Sequence, residues 1–270
     1  MKLRKKLFIA CGRTFSDVRK QTVESFVYTG GVAALFGKTL FGIWSFPLRK
    51  RQILEQMSRI GVASFPIVVL ISFFTGIVLA LQSAYQLQQM SAQMYIASLV
   101  ALSVTRELGP VLTALIIAGR SGAAITAELG TMKVTEQIEA LETLSASPVQ
   151  YLVVPRFIAL VVMVPLLTVY ADFFGVLGGY LVGVGKLNIT HAMYMKMTLV
   201  PLTVGDVMTG IAKSAVFAVI ICVISCFEGI NSQGGAEGVG KSTTASVVKS
   251  FILIIMADCL FTAIFYFFGK

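Results

Sequence analysis

Residues Gly235 to Ser242, with the sequence GAEGVGKS, fit the P-loop pattern G-x-x-x-x-G-K-[ST]. In that motif, loop amides and a lysine hold nucleotide phosphates. The chemistry also needs a surrounding α/β domain and an acidic residue for Mg²⁺. Here the pattern joins two apolar runs that leave no room for such a domain. We therefore predict no nucleotide binding, a tight glycine turn, and a helix start capped by Ser242, Thr243 and Thr244.

A second set of reactive side chains consists of ionisable residues inside apolar runs: Arg106, Glu107, Asp172, Asp206, Lys213 and Asp258. In a membrane each of them is costly unless it faces a partner or a cavity. Both signs of charge are present, so two interpretations stay open and can both hold. The residues form an ion-pair network that fixes helix packing, or they line a cavity for a lipid headgroup with Lys213 as the phosphate partner.

Redox and metal chemistry are not indicated. Three of the four cysteines lie in apolar runs, and their spacing gives neither a disulfide framework nor a metal site: Cys11, Cys222, Cys226 and Cys259. The single histidine, His191, has no second ligand candidate nearby. We expect the cysteines to pack as small apolar residues, and we expect no metal or cofactor in this chain.

The composition of the chain identifies the elements that must position these residues. Of its 270 residues, 56% are hydrophobic and 13% are charged, and the mean hydropathy is +0.85. Soluble domains are about half apolar and about a quarter charged. The sequence therefore predicts an all-α integral membrane protein. Its net charge of +9 does not indicate nucleic acid, because twelve of its basic residues precede Val62 and suit a topology signal beside lipid heads.

Apolar runs long enough to cross a bilayer predict five transmembrane helices. We read the long third run as one tilted or kinked helix. The predicted spans are Val62–Gln82, Ala92–Ala118, Tyr151–Val184, Val204–Phe227 and Val247–Phe268.

The segment 1–61 precedes the first span and is basic and amphipathic. Its apolar start is too short for a signal peptide, so we expect it to be retained. Residues 7–44 predict either an interfacial helix or a helix packed on the bundle. The basic N-terminus predicts a cytoplasmic start, and the odd number of spans then puts the C-terminus on the external side.

A polar block from Gly119 to Pro148 separates the second and third spans and falls on the cytoplasmic side. Connections between spans are usually short, so this helix-compatible insert indicates a partner outside the bilayer. Its acidic residues suit water, whereas Ile125, Leu129, Met132 and Val134 can pack inward.

The string RELGPVLTALIIAGRSGAAITAELGTMKVTEQIEAL, from Arg106 to Leu141, resembles the signature of the MlaE family of ABC permeases. Further similarities are VLALQ at 78–82, PRF at 155–157 and GGAEGVGKSTTASVV at 234–248. The resemblance covers about 61–268 and implies a non-catalytic permease domain at 62–270. It implies transport of phospholipid or a related lipid between the inner and outer membranes of a bacterium, with the permease in the inner membrane.

The resemblance also implies partners. These are a second copy of the chain, an ABC ATPase that binds ATP and Mg²⁺, an MCE-domain lipid carrier and, in some members, a STAS-domain protein. A coupling helix within 119–148 would contact the ATPase, with five candidate residues: Arg120, Glu128, Lys133, Glu136 and Glu139. We place a lipid cavity, shared with Glu107 and Lys213, around apolar and flexible side chains of the first span: Leu79, Gln82, Tyr85, Leu87 and Met90.

Two other classes of function remain as alternatives. A proton-coupled secondary transporter is suggested by Glu107, Asp172 and Asp258, although five spans do not divide into the two equal repeats typical of such proteins. A structural scaffold would not need so many charges inside the membrane. The sequence does not specify the lipid or the direction of transport.

Overall fold

The computed structural model describes residues 23, 26–44, 50–89 and 92–268, and no strand occurs in that part of the chain. The prediction of an all-α membrane fold is confirmed. The α-helices are α1 (Phe26–Trp44), α2 (Lys50–Ile60), α3 (Phe65–Gln89), α4 (Ile96–Ser103), α5 (Gly109–Ile117), α6 (Ala123–Val134), α7 (Gln137–Thr143), α8 (Val154–Gly185), α9 (His191–Leu199), α10 (Val204–Ile230) and α11 (Gly235–Phe268).

The second span (α4 to α6), α8 and α10 pack around one core. The five predicted spans alternate in direction along the chain. The neighbouring pairs that establish this are Gly61 with Met163, Phe73 with Gly178, Val100 with Gly179, Gly210 with Thr105, Gly229 with Leu129, Lys213 with Asp258 and Ser225 with Ser246. We call one end of the bundle the base, which contains Ile60, Val134, Val154, Ile230 and Gly235. We call the other end the top, which contains Gln89, Ile96, Gly185 and Val204.

The third span is one continuous helix, as predicted. Helix α8 has 32 residues and contains Pro165 without interruption, and the π-helical turn Val149–Val153 precedes it.

The second span is more irregular. The π-helical turns Val104–Leu108 and Ala118–Gly122 join α4, α5 and α6 into one long rod. Such turns shift side chains around a helix and are frequent at functional sites.

Among the described residues, six helices are long and apolar enough to cross a membrane, one more than the sequence predicts. The additional helix is α1, which has 19 residues. Near its start, Tyr28 donates a hydrogen bond to Glu228, and near its end Gly42 lies against Val154. Both partners belong to the base, whereas a helix that crossed the bundle would rise about 28 Å away from it. These contacts place α1 along the base, against the bundle, and argue against a sixth crossing.

The polar block 119–148 is not a single water-exposed insert. Its first half continues the second span as α6, in which Ile125, Thr126, Leu129 and Gly130 are buried against α10 and α11. Only after Val134 does the chain turn into the separate short helix α7, which has Ile138 as its one buried residue. The coupling helix predicted from the whole block therefore corresponds in position to α7, supported by α6.

Candidate functional site

The ionisable residues of the second span meet those of α10 in the upper half of the bundle. The π-helical turn at Val104–Leu108 carries Arg106 and Glu107. Helix α10 approaches this turn closely because Gly210 lies against the carbonyl of Thr105, where a Cβ atom would overlap the backbone. Close approach through glycine is common where membrane helices pack. The turn and the glycine together place two charged residues of one helix within reach of two on the other.

Lys213 lies at the centre of this cluster and has only 2% of its side chain exposed. Its Nζ atom lies 2.7 Å from Oε2 of Glu107 and 3.0 Å from Oδ1 of Asp258. It also lies 2.8 Å from Oγ1 of Thr262 and 3.2 Å from the carbonyl oxygen of Arg106. An ammonium group has three N–H donors, and four acceptors surround this one. Lys213 is therefore engaged within the protein and joins three spans.

Arg106 forms the third ion pair of the cluster. Its guanidinium contacts Oδ1 of Asp206 at 2.7 Å, and Asp206 also closes a capping box with Thr203 at the start of α10. The Arg106 side chain is 52% exposed. Where the sequence suggested Lys213 as the cation for a headgroup phosphate, the structure gives Arg106 the greater exposure.

A cavity of about 530 Å³ opens beside the ion pairs of Lys213 and Arg106. Its walls combine charged, hydroxyl and aromatic side chains: Arg106, Glu107, Thr203, Asp206, Thr209, Lys213, Thr262 and Phe265. Both signs of charge line one space, and such a space can accept a polar group that both donates and accepts hydrogen bonds.

Asp172 does not join the predicted charge network. It is buried on α8 with its Oδ1 atom against Gly109, and this atom has no hydrogen-bond partner in the described part of the chain. It lines a different, mainly apolar cavity of about 550 Å³ between α8, α9 and α10. Of the three carboxyl groups that suggested proton coupling, Glu107 and Asp258 are ion-paired with Lys213, and only Asp172 stands apart.

The residues predicted for the acyl cavity divide into two groups. Leu79 and Leu87 pack against a small core at the top that includes Ala80, Ile96 and Val100. Gln82 and Tyr85 are exposed, and Met90 lies outside the described residues. Within one chain, these side chains do not line the cavity around Arg106 and Lys213. Their role in lipid binding stays a prediction.

The residues predicted to couple to an ATPase also divide. Arg120 donates a hydrogen bond to Oγ of Ser64 at 2.7 Å, which connects the base of the second span to that of the first. Lys133 forms an ion pair with Glu139 between α6 and α7, and this hydrogen bond lowers the pKa of the Glu139 carboxyl. Glu136 is exposed at the joint between these helices, where its φ of 59° turns the chain.

Glu128 has a partner that sequence reasoning missed. Its carboxylate lies 3.0 Å from the guanidinium of Arg156, in the first turn of α8. Arg156 belongs to the PRF motif, and it is the one charged residue in the long apolar run of the third span before Asp172. That isolated charge was the available signal, because a basic residue in an apolar run needs a partner.

Comparison with known proteins places this arrangement in a family. The family Permease MlaE matches residues 53–264. The chain belongs to the MlaE permease family. It is 47% identical to a probable ABC transporter permease protein of Rickettsia typhi, over 92% of this chain and 96% of that protein. It is 34% identical to the intermembrane phospholipid transport system permease protein MlaE of Haemophilus influenzae, over 93% and 97%. The protein TRIGALACTOSYLDIACYLGLYCEROL 1, chloroplastic, of Arabidopsis thaliana is 34% identical, over 92% and 71%.

As an MlaE permease, the chain is a multi-pass ABC transporter subunit, and its P-loop pattern has a structural explanation. Residues 235–242 form the first two turns of α11, not a loop. The chain turns just before, where Gly234 and Gly235 have φ values of 91° and 67°. The predicted caps were wrong, because Thr243 and Thr244 bond to carbonyls four residues earlier inside the helix.

Replacing Lys241 by alanine in this MlaE permease should leave ATP binding by the assembled transporter unchanged. Its Nζ atom pairs with Glu237 at 2.7 Å on the exposed face of α11, and exposed pairs contribute little. The measurement is labelling with a photoreactive ATP analogue. Specific crosslinking to residues 235–242 would overturn this interpretation.

Proposed function

We propose that this MlaE-family permease is the non-catalytic membrane subunit of a transporter that moves phospholipid between the inner and outer membranes. A separate ABC ATPase, which holds ATP and Mg²⁺, drives it. The observation that carries the proposal is the position of α7, a short polar helix at the base that is joined to the second and third spans. The relationship to the Haemophilus influenzae phospholipid permease over nearly the whole chain supports the cargo class.

Helix α7 has the properties of a docking element. Ile138 is buried against the base, and the ion pair of Glu139 with Lys133 connects α7 to α6. Its other side is exposed, and Leu144, which follows it, is 78% exposed. An exposed apolar residue beside acidic ones suits the core and rim of a protein interface. A displacement of α7 by a bound ATPase would therefore act on the second and third spans, which flank it.

The remaining parts of the assembly follow from the same proposal. Two copies of the chain enclose a lipid pathway, and an MCE-domain carrier binds at the top, with a STAS-domain protein on the ATPase as an optional partner. The basic N-terminal segment puts the base in the cytoplasm and the C-terminus in the periplasm. The polar cavity beside Arg106 receives the headgroup, while apolar side chains of the first span face the acyl chains.

The test is purification of the chain with its candidate ATPase, followed by mass spectrometry of bound lipid and a transport assay between vesicles. We expect a dimer with two ATPase copies, retained phospholipid and ATP-dependent transfer. A monomer that transfers lipid without any ATPase would end the proposal.

Reversing the charge of Glu136 should weaken ATPase association. Glu136→Lys places a cation at the exposed joint between α6 and α7, and we expect about a fivefold or greater loss of affinity. The fold should persist, because surface substitutions change stability little. The measurement is the amount of ATPase that copurifies per permease.

Glu237→Lys is the matched control, since it makes the same charge change at an exposed position of the base on α11. Equal ATPase recovery with both variants would show that docking does not use α7.

A further inference from the structure

Arg156 occupies an unfavourable position for a cation. Its side chain is 4% exposed, and it lies in the first turn of α8. Burial carries the cost of removing a charge from water. A cation is stable here only where its contacts offset that cost.

These contacts are specific. One guanidinium nitrogen, Nη2, lies 3.0 Å from Oε2 of Glu128, and the other, Nη1, donates to the carbonyl oxygen of Leu152 at 2.6 Å. Leu152 belongs to the π-helical turn that leads into α8. Arg156 thus holds α6 with one arm and the entrance of its own helix with the other.

The pair lies where the chain enters and leaves the segment that contains α7. Glu128 comes before α7 and Arg156 after it, so their contact closes the base of this segment. On its other side α6 is fixed by buried hydroxyl groups. Oγ1 of Thr126 lies 3.0 Å from the carbonyl oxygen of Ser225 and 2.9 Å from Oγ of Ser246. Helix α6 is therefore attached to α10 and α11 by neutral groups, and to α8 by a charged one.

We propose that Arg156 and Glu128 are positioning residues that form a latch, through which a movement of α7 is transmitted to the third span. The inference rests on the proposed function, because it assumes that an ATPase moves α7. With the latch closed, α6, α7 and the start of α8 move as one body. With the latch broken, α7 moves on a flexible connection, and hydrolysis proceeds without moving the spans.

The surroundings of the latch allow it to change partner. A polar cavity of about 220 Å³ adjoins it, between α2, α6 and α8. Two buried polar atoms at this cavity, Nε of Arg156 and Oε1 of Gln52, have no hydrogen-bond partner within the described residues. The guanidinium therefore has a spare donor at the same cavity as a spare acceptor on α2. A tightly packed ion pair would lack this room to reorient.

The experiment measures lipid moved per ATP hydrolysed in vesicles that contain the full transporter with its ATPase. Arg156→Gln should lower this ratio about fivefold or more, within the usual range of coupling between sites. ATPase copurification and basal hydrolysis should persist. Arg156→Lys should restore part of the ratio, because an ammonium group reaches one carboxylate but lacks the two-armed geometry of a guanidinium.

Lys249→Gln is the matched control. This substitution removes an ion pair of similar length, in which Nζ of Lys249 lies 2.7 Å from Oε1 of Glu228. That pair joins α10 to α11 and does not enclose the segment that contains α7. Its ratio of lipid to ATP should equal that of the unsubstituted protein. If Arg156→Gln does not insert, the double variant with Glu128→Gln avoids leaving the Glu128 carboxylate without its partner, and the same ratio decides.

The outcomes separate the two proposals. Less folded protein with an unchanged ratio of lipid to ATP in the Arg156 variants would show a merely structural pair and overturn the latch. Equal loss of the ratio in Lys249→Gln would also overturn it. If the unsubstituted chain recruits no ATPase, the proposed function fails before the latch is tested.

Discussion

Replacing Lys213 by alanine should destabilise the helix bundle by about 3 kcal/mol, the low end of the cost of breaking a buried ion pair. The substitution leaves Glu107 and Asp258 next to each other without their shared cation, and removes a contact that joins the second span, α10 and α11. The side chains of Glu107 and Asp258 are 38% and 21% exposed, which limits the loss. The measurement is thermal unfolding of the purified permease in detergent.

The double variant Lys213→Ala with Asp258→Asn should recover part of this stability, because it removes one of the two repelling charges. Lys196→Ala is the control, since it deletes an exposed cation on α9 and should change stability little. A headgroup role gives the opposite pattern. Unchanged melting of Lys213→Ala together with less lipid per folded protein would show that Lys213 binds the cargo and does not primarily hold the helices.

The order of the five predicted spans could be read from the sequence because hydropathy is a local property, although the sixth apolar helix, α1, was not predicted as long enough to cross a membrane. The third span, for example, was read as one helix because no charged residue other than Asp172 interrupts its second half. The placement of α1 along the base could not be read from the sequence, and contacts at Glu228 and Val154 were needed to show it. Those contacts join residues that are far apart in the sequence.

The partners of the charged residues could not be predicted, because they depend on the rotation and height of each helix. Lys213 meets Glu107 only because the π-helical turn at Val104–Leu108 shifts the side chains of the second span. Because the rotation of α8 is not evident from the sequence, Asp172 was predicted to belong to the charge network, although it lines another cavity. Glu128 appeared as a surface residue for the same reason, since the sequence does not show that Arg156 lies beside it.

Replacing Gly76 by alanine should destabilise the permease by about 3 kcal/mol, the upper part of the usual range for overpacking. Helices α3 and α8 cross in backbone contact, and a Cβ atom at Gly76 would overlap the carbonyl oxygen of Gly175. One turn further along, Gly178 lies equally close to the carbonyl of Phe73. Small residues permit such contact in membranes, where dispersion and weak hydrogen bonds hold helices together.

Helix α8 cannot move aside, because it is also buried against α4, α5 and α10, so the added methyl group must push α3 outward. Gly240→Ala is the matched control. It lies exposed within α11 with no atom near its Cβ position, and alanine there should leave stability unchanged or raise it by about 0.5–1 kcal/mol through helix propensity. Thermal unfolding of both variants measures the difference. If Gly76→Ala has the same melting temperature as Gly240→Ala, α3 and α8 cross at a wider distance than backbone contact.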